Sequence, residues 1–552
     1  MLGLNLLFRV TFNVALVSLC FACIFLSCKD QTESEENLIP EYETRTVNAP
    51  SGGANYDIYL LKINTSYAEA ARSTTGTALM LEKQADTETS YEAIIGNDGF
   101  QQTCSEPAFV REFNANPPVK TAQKQAVKPA LQDGMLQNGA VSFSTYAPAD
   151  GKFWVQNANG TDIQINAYTK KTGEYCTIWI EDDAFTESSS ENTTDGKINQ
   201  SQVDELAQKF DALYLKETAL LGYEYGGGGQ TPVGGVDGDP RVQILISDIF
   251  FDTNNGNTIG YFYSADEYTE EELRGSAKTN KCEMFYIDSY FLDKYPNTTY
   301  STLVHEFQHM IHFNQKTVKH KLNSSSWFNE MLSLMTEDVI APLIGISQTS
   351  SGHPILERMP LYLTQYPTLS LTSWRNGSDS YLSYSSAFAF SAYLARNFGG
   401  AALINLMESN NKIDAASISA ALTACSGNTH KRTVKTFEDA FKRWGEALIY
   451  TETSASNGGN FSFNNTVTST ISGTNYTYHA FDISEIRQQI GQTVYSTKGL
   501  KVSSVNKKAM PAFSIDIQTS DLWKNLKGAT TIKLEKPLNP NIELVLYAVP
   551  VN

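Results

Sequence analysis

Apolar and polar positions change period several times along the chain. The stretch YDIYLLKIN at 56–64 alternates as a strand does, and weaker strand patterns follow at 139–146 and 152–168 between Pro, Asn and Gly punctuation. Residues 46–168 therefore read as an N-terminal β domain. At 175–180 the pattern becomes YCTIWI, a strand, and 199–222 then shows helical spacing at Val203, Leu206, Phe210, Leu213 and Tyr214 before closing on a glycine. RVQILI at 241–246 predicts a further strand, and KCEMFYID at 281–288 alternates as a half-exposed one. Pro296 and the polar residues after it supply a helix start ahead of STLVHEFQHMIHFNQ at 301–315, so a strand leads into a helix there. Helical spacing recurs at 327–340, 384–397 and 437–450. Residues 456–552 return to strand signals, as in TTIKLEK and NIELVLYAV, and predict a C-terminal β domain. The expected architecture is α+β and multidomain: a central unit over 169–455, with strands before the 301–315 helix and helices after it, flanked by two β domains.

A chain of 552 residues has material for several domains and a large core. With 28 Tyr and 28 Phe it is well supplied with aromatics. Its start changes the picture more: Arg9 precedes an apolar run that ends at Ser27 and Cys28. That reads as an export signal over 1–27, and Phe25-Leu26-Ser27-Cys28 resembles a bacterial lipobox, with Phe where Leu is usual. The resemblance implies cleavage before Cys28 and a lipid anchor on it; the other reading is an uncleaved membrane anchor. Either places the remainder outside the cytoplasm, with 28–45, acidic and polar, as a tether. The formal charge of −18 argues against nucleic acid as a partner. Of seven cysteines, Cys104, Cys176, Cys282 and Cys425 lie beyond the signal and Cys28; no C-x-x-C occurs, which leaves one or two disulfides open and excludes a zinc ribbon.

The chemistry centres on His305-Glu306-Phe307-Gln308-His309, an H-E-x-x-H pattern. Residues i and i+4 stack on one helix face, so two imidazoles can reach one Zn²⁺, while Glu306, about 100° further round, can reach a water there and take its proton. His312 shares the face but lies about 10.5 Å along the axis from His305, and side chains on one helix lean the same way rather than converge. A third ligand is expected from another element, with His312 as a partly buried neighbour. The 326–333 segment SWFNEMLS, opening the next helix, carries Glu330. Asp237-Gly238-Asp239 reads as a tight acidic turn; Ca²⁺ there is possible but has no further ligand spacing to support it.

H-E-x-x-H followed by N-E-x-x-S resembles the gluzincin metallopeptidases, the group of thermolysin and the zinc aminopeptidases. Within it, TLVHEFQHMIHFN, WFNEMLS, EMFYID and TFEDAFKRWGEAL are similar to the hyicolysin family, over roughly 174–455. The resemblance implies a thermolysin-like catalytic domain, one catalytic zinc on His305, His309 and Glu330, and a protein or peptide substrate. YLSYSSAF at 381–388 is similar to the Tyr-bearing helix of the zinc aminopeptidases, which makes Tyr384, then Tyr381, the expected oxyanion donor. Glu337 or Ser333 is an expected acceptor for an imidazole N–H. The strand at 282–288 is the expected edge for a substrate strand; lacking the G-x-M-E-N wording, it favours an endopeptidase, with Glu283 keeping an aminopeptidase open. A surface-anchored binding or adhesion lipoprotein with a vestigial peptidase domain is the reading from another class.

Overall fold

A computed structural model describes residues 41–67 except 52, 106–120, 151–187 except 158–159, 196–228, 234–250, 258–450, 460–484, 486–490, 493–496, 500, 502–504, 510–537 and 539–551. The expected signal, Cys28 and the strand at 139–146 lie outside these residues. Among the described residues no helix is long and apolar enough to cross a membrane.

The first half carries β1 (Tyr42–Val47), β2 (Tyr56–Asn64), α1 (Ala108–Ala115), β3 (Lys152–Gln156), β4 (Asp162–Thr172), β5 (Cys176–Glu181), α2 (Gln200–Leu221), β6 (Val242–Ser247), β7 (Gly260–Tyr261), α3 (Glu270–Leu273), β8 (Met284–Asp288) and α4 (Ser289–Lys294). Seven helices follow: α5 (Pro296–His312), α6 (Ser326–Ile340), α7 (Pro354–Gln365), α8 (Ser380–Phe398), α9 (Ala401–Ser409), α10 (Asp414–Ala424) and α11 (Phe437–Ile449). The chain closes with β9 (Val467–Ile471), β10 (Thr474–Tyr478), β11 (Arg487–Ile490), β12 (Thr493–Ser496), β13 (Ser503–Ser504), β14 (Ser514–Thr519), β15 (Thr530–Glu535) and β16 (Ile542–Pro550).

The central sheet has the order β3-β4-β5-β6-β8-β7, parallel from β5 through β8 and antiparallel at both margins. α2 starts on a capping box in which Asn199 accepts from Gln202 N and the Gln202 side chain accepts from Asn199 N. It ends at Gly222, whose φ of 96° suits a residue without Cβ. Its Phe210 ring meets Phe307 of α5 at 5.2 Å, which seats the histidine helix on the sheet through α2.

Two expectations are corrected here. The 281–288 strand is neither half-exposed nor an edge: Met284–Asp288 is buried throughout, and β6 and β7 flank it. Its alternation is real, but both faces are covered. Phe285 and Ile287 join the main core, whereas Met284 and Tyr286 pack with Val110 of α1 and Phe153 of β3. The short β7 supplies the edge instead.

The second correction concerns the flanking β domains. β1 pairs with β15, and β2 lies between β14 and β16 in a sheet of order β13-β14-β2-β16, while β3 and β4 belong to the central sheet. Residues 46–168 and 456–552 thus do not form two separate domains, and β1 begins inside the stretch expected as tether. The physical reason lies in β2. Ile58 and Leu60 face one apolar cluster, and Leu61 and Ile63 face the main core, so this strand needs partners on both edges and cover on both faces. Leu61 also packs onto α11 at Gly445, where an added Cβ would lie 2.3 Å from Leu61 Cδ1.

A buried ion pair locks the helical layer. Arg396 of α8 donates from Nη1 at 2.6 Å and Nη2 at 3.0 Å to the two oxygens of Asp338 on α6, and from Nε to the His479 carbonyl at 2.9 Å. Replacing Arg396 by Met strands a buried carboxylate and is expected to cost about 3–5 kcal/mol in chemical denaturation. A chain ending at residue 455 loses both partners of β2 and is expected to lose cooperative unfolding in calorimetry; an independent C-terminal domain would leave the main transition in place.

Candidate metal centre

Helix α5 is buried from Thr298 to His312, with Leu303, Val304, Phe307, Met310 and Ile311 in the core. This burial fixes the direction of its polar face. His305 and His309 sit one turn apart with ring centres 4.7 Å from each other. Glu330, in the first turns of α6, brings Oε2 to 2.9 Å from His305 Nε2 and 3.5 Å from His309 Nε2. Ligand atoms of the three residues lie within 4.8 Å of one another, and all three are buried.

The opposite side of each ring is already engaged. His305 Nδ1 lies 2.5 Å from Glu337 Oε1, and Glu337 Oε2 accepts from Ser301 Oγ at 2.9 Å. His309 Nδ1 lies 3.1 Å from both Asn329 Oδ1 and Ser333 Oγ, and Ser333 directs its own proton to Gln308 Oε1. Acceptors at both Nδ1 atoms suit a proton there on each ring, which would leave the Nε2 atoms, both directed at Glu330, to a metal. Two imidazoles and a carboxylate, oriented in this way, make a donor set that fits a divalent metal such as zinc. Both expected acceptors, Glu337 and Ser333, are in use. Asn329 was missed, although it is the first letter of the N-E-x-x-S pattern.

The electrostatics follow from burial with opposite charges in contact. Burial opposes charge on His305, yet the Glu330 and Glu337 carboxylates raise its pKa well above the ordinary value. Burial would raise Glu330, but the two imidazoles hold it below the usual carboxylate range. Glu306 is raised, by burial first, with the imidazoles and the Phe262 N–H partly offsetting this.

His312 points elsewhere. Its Nδ1 lies 3.0 Å from both carboxylate oxygens of Glu408 on α9, and its Nε2 meets Ser324 Oγ, so it ties α5 to neighbouring elements.

Tyr384 of α8 donates from Oη to Glu330 Oε1 at 3.1 Å, and its ring packs edge-on to Trp374 at 4.9 Å, with the Arg358 guanidinium 5.3 Å above it. Tyr381, one turn earlier, is half-buried. A cavity opens between these groups, lined by His305, Glu306, Tyr384, Arg358, Gly260 and Glu106 among others. Glu106 and Arg358 escaped the sequence reading because no motif or period marks either position. Glu106 is pushed up to about 8 by desolvation and by the neighbouring Glu330 carboxylate.

Three acids weighed from sequence, Glu283, Asp237 and Asp239, are engaged in other ways. Glu283 accepts from Gly235 N at 2.9 Å and Val236 N at 2.8 Å, and an added Cβ at Gly235 would fall 1.5 Å from its Oε1. Asp239 accepts from Arg241 Nε at 3.1 Å, and Asp237 Oδ1 accepts from Asp239 N at 2.7 Å. Cys176, Cys282 and Cys425 are free and buried; Cys104 lies outside the described residues.

Comparison with known proteins places this geometry. Over 242 residues the chain is 28% identical to the neutral metalloprotease ShpI of Staphylococcus hyicus, an overlap covering 42% of this chain and 47% of that one, so it spans about half the length of this curated relative. A solved M1 zinc metallopeptidase mutant from Deinococcus radiodurans aligns over 51% of this chain and 58% of its own at 9% identity and a TM-score of 0.26, too loosely to define a shared fold. Residues 160–489 match Peptidase M30, well over half of the chain and the whole of the metal centre, and the chain belongs to that family, the hyicolysin family of metallopeptidases.

Proposed function

We propose that this protein is a zinc-dependent endopeptidase of gluzincin arrangement, exported and held to the cell envelope through Cys28, with protein or peptide substrates. The carrying observation is the meeting of α5 and α6, where His305, His309 and Glu330 converge while Glu337, Asn329 and Ser333 back the imidazoles. His305 Nε2, His309 Nε2 and Glu330 would hold the zinc. When bound there, zinc supplies Lewis acidity, polarising a carbonyl and making a water acidic near neutral pH.

The remaining steps belong to side chains of this protein. Glu306 is buried and more basic than an ordinary carboxylate, which suits it to take a proton from the attacking water and pass it to the leaving amine. Tyr384 Oη sits on the opposite wall and can turn its proton from Glu330 to the substrate oxygen that gains charge. The β7 edge, beside the cavity at Gly260, offers the margin along which an extended peptide would lie. Engagement of Glu283 with Gly235 and Val236 favours endopeptidase action, since that acid is not available to a substrate amino terminus. One observation favours the aminopeptidase reading: Glu106, a carboxylate lining the same cavity, could hold such an amine.

Fluorogenic casein cleavage and metal analysis test these roles. Glu306→Gln is expected to retain zinc and lose activity by about 10²–10⁴-fold; unchanged cleavage would sink the proposal. Tyr384→Phe is expected to lower kcat by about 10²–10³-fold with KM little changed. Glu337→Gln keeps the shape of the His305 support without its charge and is expected to weaken zinc binding roughly 10–100-fold in a chelator titration.

A further inference from the structure

The segment 106–120 is separated in sequence from the metal centre by the whole central sheet, yet it lies across the cleft. At its start, Glu106 donates its peptide N–H to Tyr384 Oη at 3.4 Å, the hydroxyl assigned above to the substrate oxygen, and it lines the cavity with His305 and Glu306. In its middle, Asn114 of α1 donates to the Phe262 carbonyl at 2.8 Å and accepts from Ser264 N at 2.9 Å. Phe262 directly follows β7, so Asn114 takes the main-chain carbonyl next along that margin. The Phe109 ring meets Tyr261 at 6.1 Å and Tyr263 at 5.3 Å, sealing the same margin.

Its far end is pinned by charge. Lys120 is 1% exposed; its ammonium donates to the Glu267 carbonyl, lies 3.8 Å from the Glu272 carboxylate, and stands 4.3 Å and 4.6 Å from the ring centres of Tyr225 and Tyr268. The buried Glu267 carboxylate beside it has no hydrogen-bond partner, so Lys120 brings positive charge to a wall rich in acid. Tyr268 Oη and Lys321 Nζ close the clasp on the Pro118 and Lys120 carbonyls at 2.7 and 2.6 Å. The segment adds no strand to any sheet: side-chain clasps hold it, together with the packing of Val110 against Met284 and Tyr286, and Ala108, Glu112, Asn116 and Val119 face solvent. Such a layer can leave without unravelling a ladder.

We propose that residues 106–120 are an internal competitor for the substrate cleft, a strap that covers the β7 margin and occupies Tyr384 until it is displaced. This rests on the peptidase reading of the same site. Two measurements on the zinc-loaded full chain test it. Lys120→Ala, remote from the reacting groups, and Asn114→Ala, which releases the Phe262 carbonyl and Ser264 N, are each expected to raise kcat/KM on casein peptides at least about tenfold. Amide hydrogen exchange over 106–120 is expected to quicken when a peptide hydroxamate is added, a readout independent of turnover. If the variants fold and cleave no faster than wild type while hydroxamate leaves the exchange unchanged, the segment is a permanent wall and the strap is wrong. Activity that falls in Glu106→Ala would likewise overturn it and assign Glu106 to substrate. If hydroxamate frees the segment but no variant cleaves any peptide, the strap stands and the peptidase reading fails.

Discussion

The contact on which the site depends is the polar seam between two helices that are otherwise apolar. On α6, Glu330, Ser333 and Glu337 recur at intervals of three and four and share one face; on α5, Ser301, His305 and His309 recur every four residues, with Gln308 beside them. Glu337 closes on Ser301 and His305, Ser333 on Gln308 and His309, and Glu330 on both imidazoles. A slip of one turn between the helices would leave buried acids facing hydrocarbon, each at a cost of several kcal/mol. The register that satisfies the seam is therefore also the register that gathers the three groups able to hold a metal ion.

The rest of the fold holds that register from outside. Asp338 follows Glu337 directly, and its pair with Arg396 fixes α6 against α8, the helix that carries Tyr384. His312 and Glu408 brace the far end of α5. Tyr478 of the C-terminal hairpin donates to the Met335 carbonyl of α6 at 2.9 Å, so strands distant in sequence press on the same helix. A cleft of this kind carries several carboxylates with few cations, Glu106 of the 106–120 segment among them.

Much of the site was legible because it is local. H-E-x-x-H needs one helix face, and the apolar positions around it announce a buried helix. The boundaries of α2 follow from Asn199 and Gly222. Glu330 and Tyr384 came from likeness to a known pattern; Glu330 lies against His305, and Tyr384 donates to Glu330. What escaped the sequence was non-local. Alternation in 281–288 reports two faces but not what covers them, and here α1 and β3 cover the second. Nothing in YDIYLLKIN says that its partners lie more than 440 residues away at Ser514–Thr519 and Ile542–Pro550. Glu106 belongs to a stretch with no periodic signal, and only the folded chain brings it to Tyr384.

In the proposed site two helices supply two imidazoles and a carboxylate to one zinc ion. X-ray absorption at the zinc edge, with metal stoichiometry on the same sample, reads this directly. The expected result is one zinc per chain, coordinated by two imidazole nitrogens and by oxygen at about 2.0–2.2 Å. A chain purified without zinc, a third imidazole in the coordination shell, or sulfur at about 2.3 Å would contradict it.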